Sequence, residues 1–415
     1  MSVALGLTRP LMVRTVAVAD PGDLMAHLRG PASYAWVRHG EGMVAWGEAA
    51  RVTVPPGPGR FAWARDWLAQ TLGEADVDDQ VRVPGSGPVA FGSFTFDPAS
   101  PGSVLAVPAA VLARRGGRAW LTTIGRVPAT LAPAAPYPAA TPVGPVRYGD
   151  GSLSAPQWQH AVSLAVERIR RGDLEKVVLA RDLDAVAERP VDLRALLSRL
   201  ARRYPACYTF SCAGLVGATP ELLVRRTGEA VESLVLAGTT ARAATPAEDA
   251  ARGAALLSSD KDRHEHTCAV DSVRDALAPL CKDLTVPAAP ELLKLSNVQH
   301  LASPVSGRLS EGASVLDVVA AMHPTAAVGG TPTGRAVELI GRLEGMDRGR
   351  YSGPVGWIDA RGDGEWGIAL RCGSIEGSHV RLFAGCGIMA DSDPAAELAE
   401  AQSKLRVMQD ALEGR

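Results

Sequence analysis

The chain has 415 residues, 47% hydrophobic and 21% charged, with a formal net charge of -2. That supports a large core and a length prior of roughly two or three domains. The near-neutral balance excludes the basic footprint of a nucleic-acid binder and the polybasic patch of a membrane-surface protein.

No run of about 18 uncharged apolar residues offers a membrane span. Met1–Asp20 is broken by Arg9, Pro10 and Arg14 and lacks the pattern of a signal peptide. Six cysteines, none in a CxxC pair, form no disulfide framework and are expected to be reduced, in a cytoplasmic protein.

Residues 1 to 125 alternate short β-like runs with Gly/Pro turns: Tyr34–Val37, Met43–Trp46, Val89–Phe96 and Trp120–Thr123. A helix is predicted over Arg60–Leu72. This portion carries no catalytic constellation, and its strands are too few and too apolar to stand alone. Val127–Pro145 is rich in Pro and Ala and reads as a connector. The division expected is an N-terminal portion 1–126, a connector 127–150 and a motif-bearing region 151–415.

The pattern from Ser154 to Arg171 is helical, capped by Ser154 and stopped by Gly172. Lys176–Arg181 is a short buried strand that opens on a lysine, ordinarily a solvated edge residue. A helix over Asp192–Tyr204 and a strand over Cys207–Ser211 follow. In Gly217–Val224 the proline at 220 fixes the approach to Glu221, and a carboxylate amid apolar residues is either paired or kept protonated by desolvation. Leu234–Thr240 reads as a strand ending in a Gly-Thr turn, where Gly238 admits a ligand close to the backbone and Thr239 offers a hydroxyl.

Pro246–Leu280 is mostly helical, with a break near Ser258–Asp260. Asp262 and Glu265 share one face at i,i+3. His264 and His266, two apart, point in different directions, so this His-Glu-His is no zinc motif. A strand over Leu293–Val305 and a helix over Val315–Met322 lead to His323–Gly330. The Gly/Thr run through Gly334 is faintly phosphate-binding but has no lysine in the Walker position, so no nucleotide is expected. Tyr351–Ile358, Glu365–Cys372 and Val380–Ala384 read as three strands of an antiparallel meander. Arg371, in an otherwise apolar strand, needs an anionic partner.

The last helix starts at the N-cap Asp393 with Pro394 in its first turn. Glu397, Glu400 and Lys404 fall on one stripe at i, i+3 and i+7. Just upstream, Gly385 and Gly387 flank Cys386 in a turn that can bring backbone N–H groups close to an anion. Carboxylates for a hard cation beside a lysine and free N–H groups make half of a metal-assisted anion site. The ordinary alternative is an amphipathic surface helix with an i,i+4 Glu–Lys pair.

Taken together and in this order over roughly 150–410, these motifs resemble the chorismate-utilising enzymes, and within them most nearly the isochorismate synthases. The motifs are Lys176, Pro-Glu221, Leu-Ala-Gly-Thr239, Asp-Arg-His-Glu265-His, His-Pro-Thr325, Tyr351-Ser-Gly-Pro-Val-Gly-Trp357, Leu-Arg371-Cys and Gly-Cys-Gly with Glu397, Glu400 and Lys404. The resemblance implies one large α+β fold, antiparallel sheets enclosed by helices around a central active-site cleft. It also implies chorismate as substrate, Mg2+ as cofactor, a monomer and no amidotransferase subunit.

By the same resemblance Glu265 and Glu400 are the main metal carboxylates, with Asp262 and Glu397 supporting them. Arg371 and Tyr351 contact the side-chain carboxylate of chorismate. Lys404, Gly385 and Gly387 lie around the bound anions, Thr239 and Gly238 line the pocket, and Cys386 has no chemical role. Lys176 is the general base that activates water for attack at ring C2, and Glu221 the general acid for the departing C4 hydroxyl. A lysine base must be desolvated or set near other cations to lose its proton at neutral pH. Glu221 needs the opposite push, which an apolar pocket supplies. Relatives that use ammonia commonly lack this lysine. A salicylate synthase, which goes on to eliminate pyruvate, shares nearly every residue named. The small apolar Ala326, Ala327 and Val328 resemble enzymes that stop at isochorismate, which menaquinone, a catechol siderophore or salicylate made by a separate lyase would consume.

Overall fold

The computed structural model describes residues 10–29, 32–125, 141–295 and 298–415. Two large sheets, antiparallel almost throughout, form its frame. The first orders its strands Val146–Asp150, Lys176–Ala187, His379–Ile388, Cys372–Glu376, Leu215–Thr219, Tyr208–Cys212, Ser33–Arg38, Glu41–Trp46, Ala110–Arg115, Arg118–Gly125, Met12–Val18 and Asp76–Asp79. The second runs Cys281–Thr285, Val298–Leu309, Ala230–Ala241, Leu222–Thr227, Gly364–Ile368, Pro354–Asp359, Val89–Ser93, Val104–Val107 and Ala50–Thr53.

Both sheets mix N-terminal and C-terminal strands: six of the twelve named in the first sheet and three of the nine in the second come from the first 125 residues. Ser33–Arg38 pairs with Tyr208–Cys212, and Val89–Ser93 with Pro354–Asp359. Separating the two groups of strands would bare two ladder edges and the apolar faces behind them. Runs such as Pro354–Asp359 and Val89–Ser93 are buried at every position, as expected of strands covered on both faces. Trp36, Trp357 and Trp366 are fully buried among them. The α+β expectation holds, and no helix among the described residues is long and apolar enough to cross a membrane.

The helices predicted over Arg60–Leu72 and Val315–Met322 form at those bounds, and the break foreseen near Ser258–Asp260 separates Pro246–Ser258 from Asp260–Leu277. Four expectations are corrected. Residues 146–150 of the connector are a strand, paired with Leu183–Ala187; residues 127–140 lie outside the described residues. The three-strand meander is in fact split. Pro354–Asp359 and Gly364–Ile368 belong to the second sheet, whereas Cys372–Glu376 and His379–Ile388 belong to the first. Arg371 therefore lies on the crossing between sheets, with φ +49°, and not inside a strand.

Leu234–Thr240 does not end in a turn. Its strand runs on to Ala241, and Gly238, φ +76°, is a bulge opposite Leu301 and His300. Finally, Gly385–Ile388 is the end of a strand paired with Val177–Ala180, not a turn. The helix Thr333–Leu343 was not anticipated, because Pro332, Thr333 and Gly334 at its start read as loop residues.

Candidate active site

The second sheet supplies the bulge at Gly238, and the first supplies the strand ends at Lys176 and Gly385–Ile388. The chain passes between the sheets at Pro220-Glu221 and again at Leu370-Arg371. The helices Asp260–Leu277 and Pro394–Glu413 then lay their acidic faces against these places. The predicted site residues come from eight separate stretches of the chain, and the topology gathers most of them.

Lys176 opens its strand, and its Nζ donates to Glu265 Oε1 at 2.5 Å; the two side chains are 12% and 23% exposed. It is therefore no solvated edge residue. Gly387 explains how the side chain passes: a Cβ there would lie 2.8 Å from Lys176 Cε. Gly385 does the same for Tyr351, whose Oη would be 3.0 Å from an added Cβ. The two glycines make room for side chains within a ladder, a role different from the anion-holding turn expected of them. Tyr351 is buried and stacks on Phe383 with ring centroids 5.0 Å apart.

Glu221 follows the last residues of one sheet and precedes the first of the other. Its backbone N–H donates to the Thr219 hydroxyl at 3.2 Å. Its surroundings include Leu222, Leu236, Met322, Ala326 and Ala327. Desolvation raises its pKa from 4.5 to about 7, against the opposing charges of Arg371 and Lys176. A carboxyl that keeps a proton this far up, with two cations in electrostatic reach, is placed to donate. Arg371 itself is half-buried and forms no carboxylate ion pair among the described residues, the Glu221 carboxyl being the acid whose pKa its charge acts on.

Thr239, just past the bulge, has its hydroxyl 2.8 Å from His300 Nδ1. Sequence reasoning missed His300. Desolvation, with Arg371 and Lys404 adding to it, lowers its pKa to about 4, so it is neutral, and its buried Nε2 has no protein partner. The signal available was the pairing of Leu234–Thr240 with Leu293–Val305, which sets His300 opposite Thr239. His266 is of another kind: buried, with Ala237 O at 3.1 Å and Ser303 Oγ at 2.8 Å, it pins the helix that carries Glu265 to the second sheet.

On the last helix Lys404 Nζ contacts Glu400 Oε1 at 2.6 Å and donates to Gly385 O at 2.8 Å. The Ser392 hydroxyl donates to Glu397 at 2.7 Å. Burial raises the pKa of Glu397, the Glu400 charge adds to that, and Ser392 opposes it. Oxygens of Glu397 and Glu400 and the Cys386 sulfur lie within 4.8 Å of one another. Two carboxylates this close, one of them held above its ordinary pKa partly by the other, suit a cation between them. Glu265 and Asp262 stand outside that group. Glu265 is taken by Lys176, and the Asp262 Cβ packs beside Gly238, 3.3 Å from an added Cβ.

Lys176, Glu265, Ala326 and Thr331 border a cavity of about 430 Å³. A half-buried acid near pKa 7, a lysine, an arginine without an ion pair among the described residues and an acidic helix face make a site for a small polyanion. The class of protein this frame and site define is a chorismate-binding enzyme, and the family model described as chorismate binding enzyme matches residues 140–413. A MenF protein of Mycobacterium tuberculosis, provisionally named an isochorismate synthase, is 41% identical over 345 residues, 79% of this chain and 87% of the relative. Isochorismate synthase DhbC of Bacillus subtilis is 43% identical over 263 residues, 60% of this chain and 66% of its own. MenF, the menaquinone-specific isochorismate synthase from Escherichia coli, superposes with a TM-score of 0.81 at 26% identity, covering 97% of this chain and 95% of that one. The chain belongs to the chorismate-binding enzymes, in their isochorismate synthase branch.

Proposed function

We propose that this site performs the Mg2+-dependent, reversible conversion of chorismate to isochorismate by adding water at C2 and releasing the C4 hydroxyl. The observation that carries the reading is the pKa of about 7 at Glu221, raised by desolvation in spite of Arg371 and Lys176 nearby. At neutral pH a large part of Glu221 is protonated and able to give its proton to the departing C4 oxygen. Lys176 is the base that takes a proton from the attacking water, which requires Glu265 to leave the ion pair that holds the lysine charged, and Glu221 regains its own proton in the reverse direction. Arg371 and Tyr351 hold the side-chain carboxylate, and the neutral His300 with Thr239 offers hydrogen bonds to a substrate oxygen.

Glu400, Glu397 and Glu265, with Asp262 in support, are the carboxylates assigned to Mg2+. That ion prefers a few carboxylates together with substrate oxygens and waters, and when bound it neutralises a carboxylate of the substrate. Lys404, bound to Gly385 O and Glu400, holds the strand end and the helix in register around the same anion. The six cysteines all stand free, which supports a reducing compartment, the cytoplasm. Ala326 and Ala327 line the same small cavity as Glu221 and Thr325, and their lack of a polar group at those two positions favours release of isochorismate over a second step.

The test is product analysis after incubation with chorismate and Mg2+. Isochorismate in balance with chorismate, without pyruvate, is expected. Salicylate with an equal amount of pyruvate would leave the acid/base assignment standing and overturn the reading at Ala327.

A further inference from the structure

Beyond this reaction, we infer that Glu175, His264 and Cys268 form a second cation site, for a borderline divalent ion of the Zn2+ type. Their ligand atoms all lie within 4.8 Å of one another. Cys268 Sγ is 3.8 Å from His264 Nε2. A tetrahedral zinc ion with bonds of about 2.3 Å to sulfur and about 2.0 Å to nitrogen separates those two atoms by about 3.5 Å. The pair is thus within a few tenths of an ångström of chelating geometry before any ion arrives.

His264 and Cys268 are four apart on the helix Asp260–Leu277 and so share one face. The failed His264/His266 spacing does not bear on this pair: His266 turns inward to Ser303, whereas His264 is exposed and free to turn. Glu175 comes from outside the helix, immediately before the strand Lys176–Ala187, so the triad ties two elements together. All three residues border the 430 Å³ cavity, which gives a fourth position to water.

Donor chemistry separates this site from the one on the last helix. Imidazole with thiolate selects Zn2+-like ions over Mg2+, which demands oxygen ligands in octahedral array. The other cysteine-containing group, Cys386 with Glu397 and Glu400, has no imidazole. Lys176, which lines the same cavity, is already engaged by Glu265, so it does not repel an incoming cation unopposed.

The experiment is a titration of the whole, reduced protein with Co2+ in excess Mg2+. A near-ultraviolet thiolate-to-cobalt charge-transfer band is expected, saturating at one equivalent and bleached by Zn2+. The band should be lost in Cys268→Ser and in His264→Ala and kept in Cys386→Ser. His264 is exposed, so its variant leaves the fold intact and guards against a folding artefact at Cys268. No band in the unmodified chain, or a band that survives Cys268→Ser, overturns the assignment.

Discussion

Gly387 and Lys176 are fitted to one another: the lysine chain crosses the backbone at 387 so closely that a Cβ there would lie 2.8 Å from its Cε. Gly387 is paired opposite Val178, and its neighbour Ile388 opposite Val177, so a shift of the backbone to relieve that contact would disturb the ladder. The lysine must move instead. Gly387→Ala should therefore fold with little loss of melting temperature and lose turnover about 10²-fold or more, as misplacement of a reacting group by about 1 Å does. A variant that unfolds, or one with normal turnover, would contradict this.

Lys176→Ala tests the base more directly. General-base catalysis contributes typically about 10²–10⁴-fold. Isochorismate formation should fall by at least that factor while calorimetry still registers chorismate binding, because Arg371 and Lys404 remain. Loss of binding in parallel with turnover would make Lys176 an anchor for the substrate and not its base.

The pKa of Glu221 gives two pH signatures. As the acid, Glu221 must hold its proton, so kcat/KM should fall as pH rises through about 7. For stability the sign follows from a folded value above the ordinary 4.5: the folded state keeps a proton that the unfolded chain has lost. Stability therefore declines as pH climbs from 4.5 to about 7 and stays lower above that. Glu221→Gln, which cannot ionise, should melt higher than the parent at about pH 8 and equally at about pH 4, while being catalytically impaired. Equal melting at both values would mean that the carboxyl is not desolvated as described.

Chelation should remove activity, and added Mg2+ should restore it. In Glu400→Gln the Mg2+ concentration for half-maximal rate should rise by about tenfold or more, since one charged ligand of a hard cation is replaced by a neutral one. An unchanged titration would return the last helix to an ordinary amphipathic role with a Glu–Lys pair.

Glu344 and Arg348 make the strongest structural claim away from the chemistry. Their side chains are 1% and 2% exposed, and they join at 2.5 Å. Between them they also bind Ala180 N, Val178 O and Val328 O, fixing the strand that carries Lys176. Arg348→Ala leaves the carboxylate buried and unpaired, which costs about 3–5 kcal/mol. Denaturant unfolding should register a shift of that size, and a change below about 1 kcal/mol would show that the pair is solvated in solution.

Much of the fold was legible locally. Arg60–Leu72 and Val315–Met322 carry helical periodicity between clear signals, and Asp393 with Pro394 marks the start of the last helix. The candidate site residues Lys176, Glu221, Glu265, Glu397, Glu400 and Lys404 came from the resemblance of ordered motifs to a family. Thr333–Leu343 escaped because its first turn is written in loop residues, and only burial of Ala336 and Ile340 makes it a helix. His300 escaped because a lone histidine in a strand has no meaning until its neighbour Thr239 is known.

Local sequence, then, determined most element types, since propensity, capping and periodicity act over a few residues, while the α+β class and the chemical inventory followed from the resemblance of its ordered motifs to a family. What the tertiary structure alone decided is who meets whom. It split the C-terminal strands between two sheets and so placed Arg371 on the crossing. It turned Gly385 and Gly387 from an anion turn into clearance for Tyr351 and Lys176, and it desolvated Glu221. Those outcomes depend on contacts between residues up to hundreds of positions apart, and a pKa or a steric gap is a property of the surroundings that packing creates.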